Sequence, residues 1–458
     1  MEQQERSKML GTMPMGRLVV KISVPIMISM LVQALYNVVD GIFVARYSAD
    51  ALTAVSLAFP VQMLMVAAST GLGVGINSLI SRRLGARRAE EAREAARNGL
   101  FMQLCAYLLF LVFGLFAAKP FFHFLTPVAE LQALGGEYLS IVCTFSFGLF
   151  FSISFERMMQ ATGNTVLSML TQLIGAVTNI ILDPILIFGL CGFPAMGVDG
   201  AAMATVIGQM AGMLLGLFLN QTRNRELMLT FKGFRPNGRI MRGIWAVGFP
   251  SIIMQSISSV MNVAMNLILM TYGAAAVSVL GVYFKLQSFI FMPVFGLSNG
   301  LVAIIGYNYG AKLRSRVYAA IKVALMLALG IMLVGTLAFL FIPQTLLGLF
   351  EANGASKLTV MGIPALRIIC SSFLLAAVGI TLGTVFQAVG RASYSLIMSL
   401  CRQLVVLLPS AWLLSRIGGL NAIWWSFAIA ELVSVTICLV LFRKVDRELF
   451  KPLGEPSA

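Results

Sequence analysis

Apolar stretches of about twenty residues alternate with short polar segments along the whole chain, and a helix of that length crosses the hydrocarbon core of a bilayer. The pattern predicts twelve spanning helices, at residues 18–45, 51–80, 99–118, 136–160, 165–190, 198–220, 243–271, 276–305, 317–343, 359–388, 393–415 and 421–442. The predicted fold class is therefore an all-α polytopic membrane protein.

Composition supports this prediction and excludes several classes of function. Hydrophobic residues make up 59% of the 458 residues and charged residues 11%, too few charges to cover a soluble domain of this length. The net charge of +15 comes from short segments between the apolar stretches, so we expect no nucleic-acid partner. No metal-ligand spacing and no nucleophile–base constellation occurs, so we expect no cofactor, no bound transition metal and no enzyme activity.

Lysine and arginine are concentrated in alternate loops, which predicts the orientation of the chain. The N-terminal tail, the second, sixth and eighth loops and the C-terminal tail carry most of them. The odd-numbered loops carry only Arg46, Lys119, Lys357 and Arg416. Because basic residues accumulate on the cytoplasmic side, both termini are expected there, in a multi-pass protein of the cytoplasmic (plasma) membrane.

An internal repeat predicts the domain organisation. A shift of 225 residues places Pro25 on Pro250, Asn37 on Asn262, Gly71-Leu72 on Gly296-Leu297 and Gly85-Ala86 on Gly310-Ala311. Two parallel halves of six helices follow: an N-lobe at 1–220, a cytoplasmic linker at 221–241, and a C-lobe with a basic tail at 242–458. A solute cavity is expected between these two pseudo-symmetric lobes.

Three polar residues interrupt the first span. Gln33, Asn37 and Asp40 are separated by four and three residues, which places them on one face of a helix. A carboxylate in a membrane helix costs about 2.5–3.5 kcal/mol on insertion scales, so it usually marks a functional site. Asp40 is therefore expected to face a protein interior or a wet cavity.

The fifth and sixth spans carry matching polar residues. Asn179 and Asp183 lie one turn apart in the fifth span, and Thr205 lies near the outer end of the sixth. Asp40 and Asp183 are each nineteen residues beyond a cytoplasmic reference point (Lys21 and Asn164), so they share a depth. Together these side chains predict a site for a proton or a small cation. The alternative is a set of independent polar contacts between helices.

The C-lobe does not repeat these acids. Its positions matching Asp40 and Asp183 are Met265 and Leu408. Its spans instead contain Lys285, Arg367, Arg402 and Glu431, and two interpretations are open. Glu431 forms an ion pair with a basic neighbour, or these residues take part in gating or in binding an anionic group. In the N-lobe, Glu156 and Arg157 are interpreted as an ion pair or snorkelling arginine at the membrane interface, and a functional role is the alternative.

The chain resembles the multidrug and toxic compound extrusion (MATE) transporters. The resemblance covers essentially the whole chain and is carried by Gln33-x-x-Tyr36-Asn37-x-x-Asp40, Asn179-x-x-x-Asp183-Pro184 and Gly200-Ala-Ala-x-Ala-Thr205. It implies a V-shaped pair of six-helix bundles. It also implies that Asp40, Asn179, Asp183 and Thr205 serve a coupling cation, with Gln33, Tyr36 and Asn37 nearby. Residues 243–271 and 359–388 lack acids, so the chain is similar to the branch that relies on N-lobe aspartates.

The function implied by this resemblance is secondary-active efflux. The chain is expected to export cationic amphipathic small molecules by alternating access, as a monomer in the lipid bilayer, in exchange for protons. Sodium at Asp40, Asn179, Asp183 and Thr205 is the alternative coupling ion. The alternative function is a flippase for lipid-linked oligosaccharide precursors, in which Lys285, Arg367 and Arg402 contact a pyrophosphate. Such flippases usually resemble a fourteen-span plan, whereas this chain has twelve predicted spans.

Overall fold

The computed structural model describes residues 6–350 and 357–453. Residues 1–5, 351–356 and 454–458, which belong to the predicted N-lobe, C-lobe and basic tail, lie outside the described residues. The first half contains the helices α1 (Arg6–Thr12), α2 (Met15–Tyr47), α3 (Ala49–Gly85), α4 (Ala89–Val112), α5 (Ala118–Leu125), α6 (Ala129–Thr144), α7 (Phe147–Ala161), α8 (Thr165–Phe188) and α9 (Val198–Arg223).

The second half contains α10 (Gly238–Met270), α11 (Ala274–Gly310), α12 (Arg314–Phe341), α13 (Pro343–Gly348), α14 (Lys357–Ile369), α15 (Phe373–Ala388), α16 (Ala392–Leu400), α17 (Leu408–Ile417), α18 (Gly419–Ile423) and α19 (Trp425–Val445). Wider π-helical turns at Phe113–Ala117, Cys401–Leu407 and Asp446–Phe450 follow α4, α16 and α19. Within the described residues, no strand interrupts this all-helical arrangement.

The helices are long and apolar enough to cross a bilayer. Within the described ranges, eleven continuous spans satisfy this criterion, and α6 with α7 make a twelfth when the bent pair is counted as one. Large apolar side chains cover the outer surface of the bundle, among them Leu109, Phe116, Val334 and Leu432. Such side chains are stable there only against lipid. The predicted class, an all-α protein with twelve spans, is confirmed.

One predicted span is broken. Residues 136–160 were expected to form a continuous helix, but α6 and α7 meet at a bend of 43° around Phe145 and Ser146. The hydroxyl of Ser146 donates to the carbonyl of Cys143 at 2.8 Å, and that of Ser140 donates to the carbonyl of Gly114 at 2.8 Å. Hydroxyl groups that bond backbone carbonyls in this way compensate a break in the helical hydrogen-bond ladder.

The two halves contact each other through glycines related by the 225-residue shift. A Cβ atom on Gly71 would lie 2.8 Å from the backbone nitrogen of Ile252, and one on Gly296 would lie 2.8 Å from that of Met27. Met27 and Ile252 are themselves repeat partners. In the same way, Gly85 faces the carbonyl of Tyr307, and Gly310 faces the carbonyl of Arg82. The packing of α3 on α10 and of α2 on α11 is therefore reciprocal.

The contact between the halves is tightest at the end formed by α1, the linker and the loops after α3 and α11, called here the basic end. Asn308 donates to the carbonyl of Leu10 at 3.0 Å, and Arg316 donates to that of Met13 at 2.8 Å. The hydroxyl of Ser78 donates to the carbonyl of Gln387 at 2.8 Å. These bonds tie the N-terminal segment and α3 to the C-lobe, so the lobes are closed at this end.

Candidate functional site

A cavity of about 600 Å³ lies inside the N-lobe. It is lined by α2, α3, α6, α7, α8 and α9, and its polar lining residues are Gln33, Tyr36, Asn37, Asp40, Ser56, Gln62, Thr70, Tyr138, Ser152, Glu156, Arg157, Gln160, Thr171, Gln172, Asn179, Thr205 and Gln209. A solute cavity was expected between the two lobes, whereas this cavity lies within the N-lobe. In the C-lobe, the buried rings of Tyr283, Phe339 and Phe373 fill the interior instead.

Two carboxyl groups meet at the wall of the cavity. Asp40 on α2 and Asp183 on α8 lie within hydrogen-bonding distance of each other, so a shared proton would join them. Asp183 has 0% exposed surface, whereas Asp40 is partly exposed and lines the cavity. One oxygen of Asp40 is buried without a partner among the described residues. Two ionised carboxylates this close would repel each other strongly, so this arrangement is suited to hold a cation or a proton.

The amide of Asn179 connects this pair to α9. With its nitrogen turned toward Asp183, it donates to Oδ2 of Asp183 at 3.1 Å and accepts from the backbone N–H of Thr205 at 3.2 Å. Asn179 is 2% exposed, so both bonds form in a shielded environment. The structure therefore brings together the four residues predicted for the cation site, on three helices.

Glycine allows α8 and α9 to approach closely enough for these bonds. A Cβ atom on Gly208 would lie 2.7 Å from the carbonyl oxygen of Gly175 and 3.1 Å from Cβ of Asn179. Near the start of α9, one on Gly200 would lie 2.5 Å from the carbonyl oxygen of Leu186. Since larger residues would separate the two backbones, these small residues place Thr205 beside Asn179.

The other predicted N-lobe residues also reach the cavity. Gln33 accepts a hydrogen bond from Gln172 at 2.9 Å, while Tyr36 and the more exposed Asn37 line the wall. Sequence reasoning missed Gln172 and two further lining residues, Gln62 and Tyr138, which bond each other at 2.8 Å. Gln172 lies seven residues before Asn179 on α8, so the helical period could have identified it.

The interpretation of Glu156 and Arg157 as an interfacial pair is wrong. Arg157 is 5% exposed, and its guanidinium donates to Gln160 at 3.0 Å. No salt bridge joins it to Glu156, although the structure describes both side chains. Gly73 on α3 leaves room for the stem of Arg157, because a Cβ there would lie 2.9 Å from its Cγ. Both charged residues therefore belong to the cavity wall.

The C-lobe candidates do not gather into one site. Arg402, on the π-helical turn, forms a salt bridge with Glu431 on α19 at 2.8 Å, with side-chain exposures of 27% and 12%. Lys285 is exposed, with its ammonium 5.8 Å from the ring centroid of Phe350. Arg367 is exposed and donates to the carbonyl of Leu340 at 3.2 Å.

Comparison with known proteins identifies the family of the chain. The family model described as MatE matches twice, at residues 25–185 and 250–413, which together cover more than half of the sequence. The chain belongs to the MatE family. The second match begins 225 residues after the first, as the internal repeat does. Membership of this family of membrane transporters means that the chain is a transporter and not an enzyme.

Relatives of this MatE protein align along almost their full length. The multidrug export protein MepA of Staphylococcus haemolyticus is 28% identical over 435 residues, 93% of each chain. A solved structure of a multidrug resistance MATE family transporter, described as outward-facing, has a TM-score of 0.91 at 27% identity and covers 97% of this chain and 98% of its own. A MATE structure described as straight has a TM-score of 0.92 at 27% identity, covering 98% and 99%.

The oxygens at the Asp40–Asp183 pair are also candidate ligands for a sodium ion. Sodium would use the two carboxylates with the amide oxygen of Asn179 and the hydroxyl of Thr205. In the arrangement above, however, the amide of Asn179 presents its nitrogen to Asp183, and its oxygen is occupied by Thr205. Binding sodium through this oxygen would require the amide to turn and its bonds to Asp183 and Thr205 to break.

Proposed function

We propose that this chain is a multidrug efflux antiporter, which exports cationic amphipathic compounds in exchange for protons. The observation that carries the proposal is the pairing of Asp40 with Asp183 at the wall of the N-lobe cavity. Relatives named as multidrug export proteins support export as the direction of transport.

The lining of the cavity supports a cationic and apolar substrate. Among its described residues, the ionisable carboxylates are Asp40 and Glu156, and the single basic residue is Arg157. Met30, Met63 and Met65 contribute flexible apolar surface, which accommodates ligands of different shape. Lys285 and Arg367 lie outside this lining, so a lipid pyrophosphate finds little positive charge here.

Exchange follows from competition for the carboxyl pair. When the pair holds a proton, its charge decreases by one and a bound organic cation loses attraction. When the proton leaves, the carboxylate of Asp40, which lines the cavity, offers a negative charge to it. A proton and a cationic substrate therefore favour different states of the same site, which is the condition for antiport.

Proton coupling is preferred over sodium because of Asn179. Its donation to Asp183 fixes a hydrogen-bond donor, not an oxygen ligand, beside the carboxylates. A membrane potential contributes about 2.3 kcal/mol per charge moved through 100 mV, enough to bias the exchange. The first span, which carries Pro25, is the element expected to repack as the pair changes charge.

We further propose that the basic end faces the cytoplasm of a cell whose cytoplasmic membrane holds the transporter. Basic side chains in the loops at this end, among them Arg83, Arg87, Arg88 and Lys312, support this orientation through the positive-inside rule. The closed contact of the lobes at the basic end then corresponds to a state that is sealed toward the cytoplasm. The proton would enter from the opposite side.

Transport in proteoliposomes tests the proposed coupling. Efflux of the lipophilic cation tetraphenylphosphonium is measured with a pH gradient at zero sodium, and separately with a sodium gradient at equal pH. We expect the pH gradient alone to drive efflux. Transport that stops without sodium and ignores the pH gradient would contradict proton coupling, and the absence of transport in both arms would contradict the proposed substrate class.

A further inference from the structure

Glu156 is a charged group in the N-lobe cavity that the proposed coupling does not use. It lies on α7, and its carboxylate accepts only one long hydrogen bond among the described residues, 3.5 Å from the hydroxyl of Ser152. The neighbouring Arg157 does not neutralise it through a salt bridge, because its guanidinium is directed to Gln160, which in turn donates to Ser168 at 3.0 Å. An acid inside a membrane protein normally has a partner.

Glu156 lies at a different depth from the Asp40–Asp183 pair. Thr205 is level with Asn179, and Gly212 on the same helix faces the hydroxyl of Ser152, so these two levels are about 10 Å apart. The backbone of Glu156 lies one further turn along α7, toward the basic end, but its carboxylate reaches back to within 3.5 Å of the Ser152 hydroxyl. The cavity therefore has one carboxylate near each end, separated by about 10 Å along the helices.

We propose that Glu156 binds the cationic group of the substrate at the inner end of the cavity. The inference rests on the proposed function, because it assumes that the cavity takes organic cations. It adds a second anchoring point, separate from the coupling pair. A cation arriving from the cytoplasmic side would meet Glu156 first and the Asp40–Asp183 pair afterwards.

The surroundings of Glu156 leave its charge available to a ligand. The polar groups that face the cavity on the neighbouring helices are neutral amides and hydroxyls, including Gln172, Thr171 and Gln209. The opposing charge is Arg157, which is held on the side of Gly73 and Gln160. The arrangement keeps the arginine beside the acid, so that their two charges offset each other, while the carboxylate forms no salt bridge of its own among the described residues.

Binding to the purified full-length chain tests this inference. The affinity for tetraphenylphosphonium is measured by titration calorimetry at pH 8 for the wild type and for Glu156→Gln. We expect the variant to bind about tenfold more weakly, as one charge interaction in a partly hydrated cavity is removed. Glu137→Gln is the matched control, because it removes an exposed N-lobe carboxylate that does not line the cavity, and its affinity should stay within twofold of the wild type.

A second variant distinguishes a charge interaction between Glu156 and the substrate from a packing role of its side chain. The double variant Ser152→Asp with Glu156→Gln attaches a carboxylate to the preceding turn of α7, where the native hydroxyl lies 3.5 Å from the Glu156 carboxylate, and we expect it to recover most of the lost affinity. Equal affinity in the wild type and Glu156→Gln overturns the inference alone. A loss in Glu156→Gln that the relocated charge does not restore also overturns it, in favour of a packing role. A wild type that does not bind tetraphenylphosphonium overturns the proposed substrate class and the inference with it.

Discussion

The carboxyl group of Asp183 is fully shielded, and that of Asp40, within hydrogen-bonding distance of it, is partly exposed on the cavity wall. This asymmetry assigns different tasks to two otherwise identical groups. Asp40 meets whatever occupies the cavity, and Asp183 is held by Asn179; in the proposed coupling the two share one proton. The pair acts as a unit, because the charge of one determines the charge of the other.

Neutralising either member of the pair should abolish coupled transport. We expect Asp40→Asn and Asp183→Asn to reduce pH-driven efflux of tetraphenylphosphonium at least tenfold in proteoliposomes, because a neutral pair has no proton to exchange. The repeat partners provide matched controls. Met265→Leu and Leu408→Met change buried or half-buried apolar residues of similar volume, which usually costs less than 1.5 kcal/mol. Normal coupling in an aspartate variant would remove the pair from the mechanism.

The reciprocal glycines should control closure at the basic end. A methyl group added in Gly85→Ala or Gly310→Ala would meet a backbone carbonyl of the opposite lobe, and overpacking of this kind costs about 1–3 kcal/mol. We expect each variant to reduce several-fold the yield of a crosslink between Ser78→Cys and Ala388→Cys, whose native side chain and carbonyl lie 3.1 Å apart.

The control for closure is Gly330→Ala on α12, where an added Cβ would meet no atom within 4 Å. Native cysteines are replaced in all variants. Because the two contacts are related by the repeat, the two interface variants should have similar effects. An unchanged crosslink yield in both would show that the close approach of α3 and α11 does not limit closure.

The salt bridge of the C-lobe should matter for stability. Glu431→Gln leaves the guanidinium of Arg402 in a mostly shielded position without its partner, so we expect it to lower the free energy of unfolding by about 1–3 kcal/mol. Replacing both residues together, as Arg402→Met with Glu431→Gln, should recover part of this loss. Thermal unfolding in detergent is measured for Glu431→Gln, for Arg402→Met and for the double variant. If the losses of stability in the two single variants add up to the loss in the double variant, the two residues are not coupled.

The orientation of the chain can be tested by labelling. Single cysteines are introduced at Ala195 and Gly273, expected outside, and at Arg87 and Asn237, expected in the cytoplasm, after the native cysteines are replaced. An impermeant thiol reagent added to intact cells should label only the first two positions. Labelling of position 237 from outside would reverse the proposed topology.

The spans could be predicted from sequence because the bilayer leaves few solutions: the chain must bury its backbone polar groups in helices. The pairing of Asn179 with Asp183 followed from the helical period, and the shared depth of Asp40 from counting residues. The position of the cavity did not follow, since it depends on which helix faces converge. Tyr138 was missed and Glu156 was assigned to the membrane interface for that reason, and the bend at Ser146 depends on local hydroxyl bonds that carry no sequence period.

Proton release on substrate binding tests the central claim most directly. The purified wild type is mixed with tetraphenylphosphonium in weakly buffered solution without sodium, and the change in pH is recorded beside the heat of binding. The account predicts release of about one proton per cation bound, and no release from Asp40→Asn, because the cation and the proton compete for one pair. Binding of the cation to the wild type with no release of protons at acidic, neutral or mildly alkaline pH would contradict it.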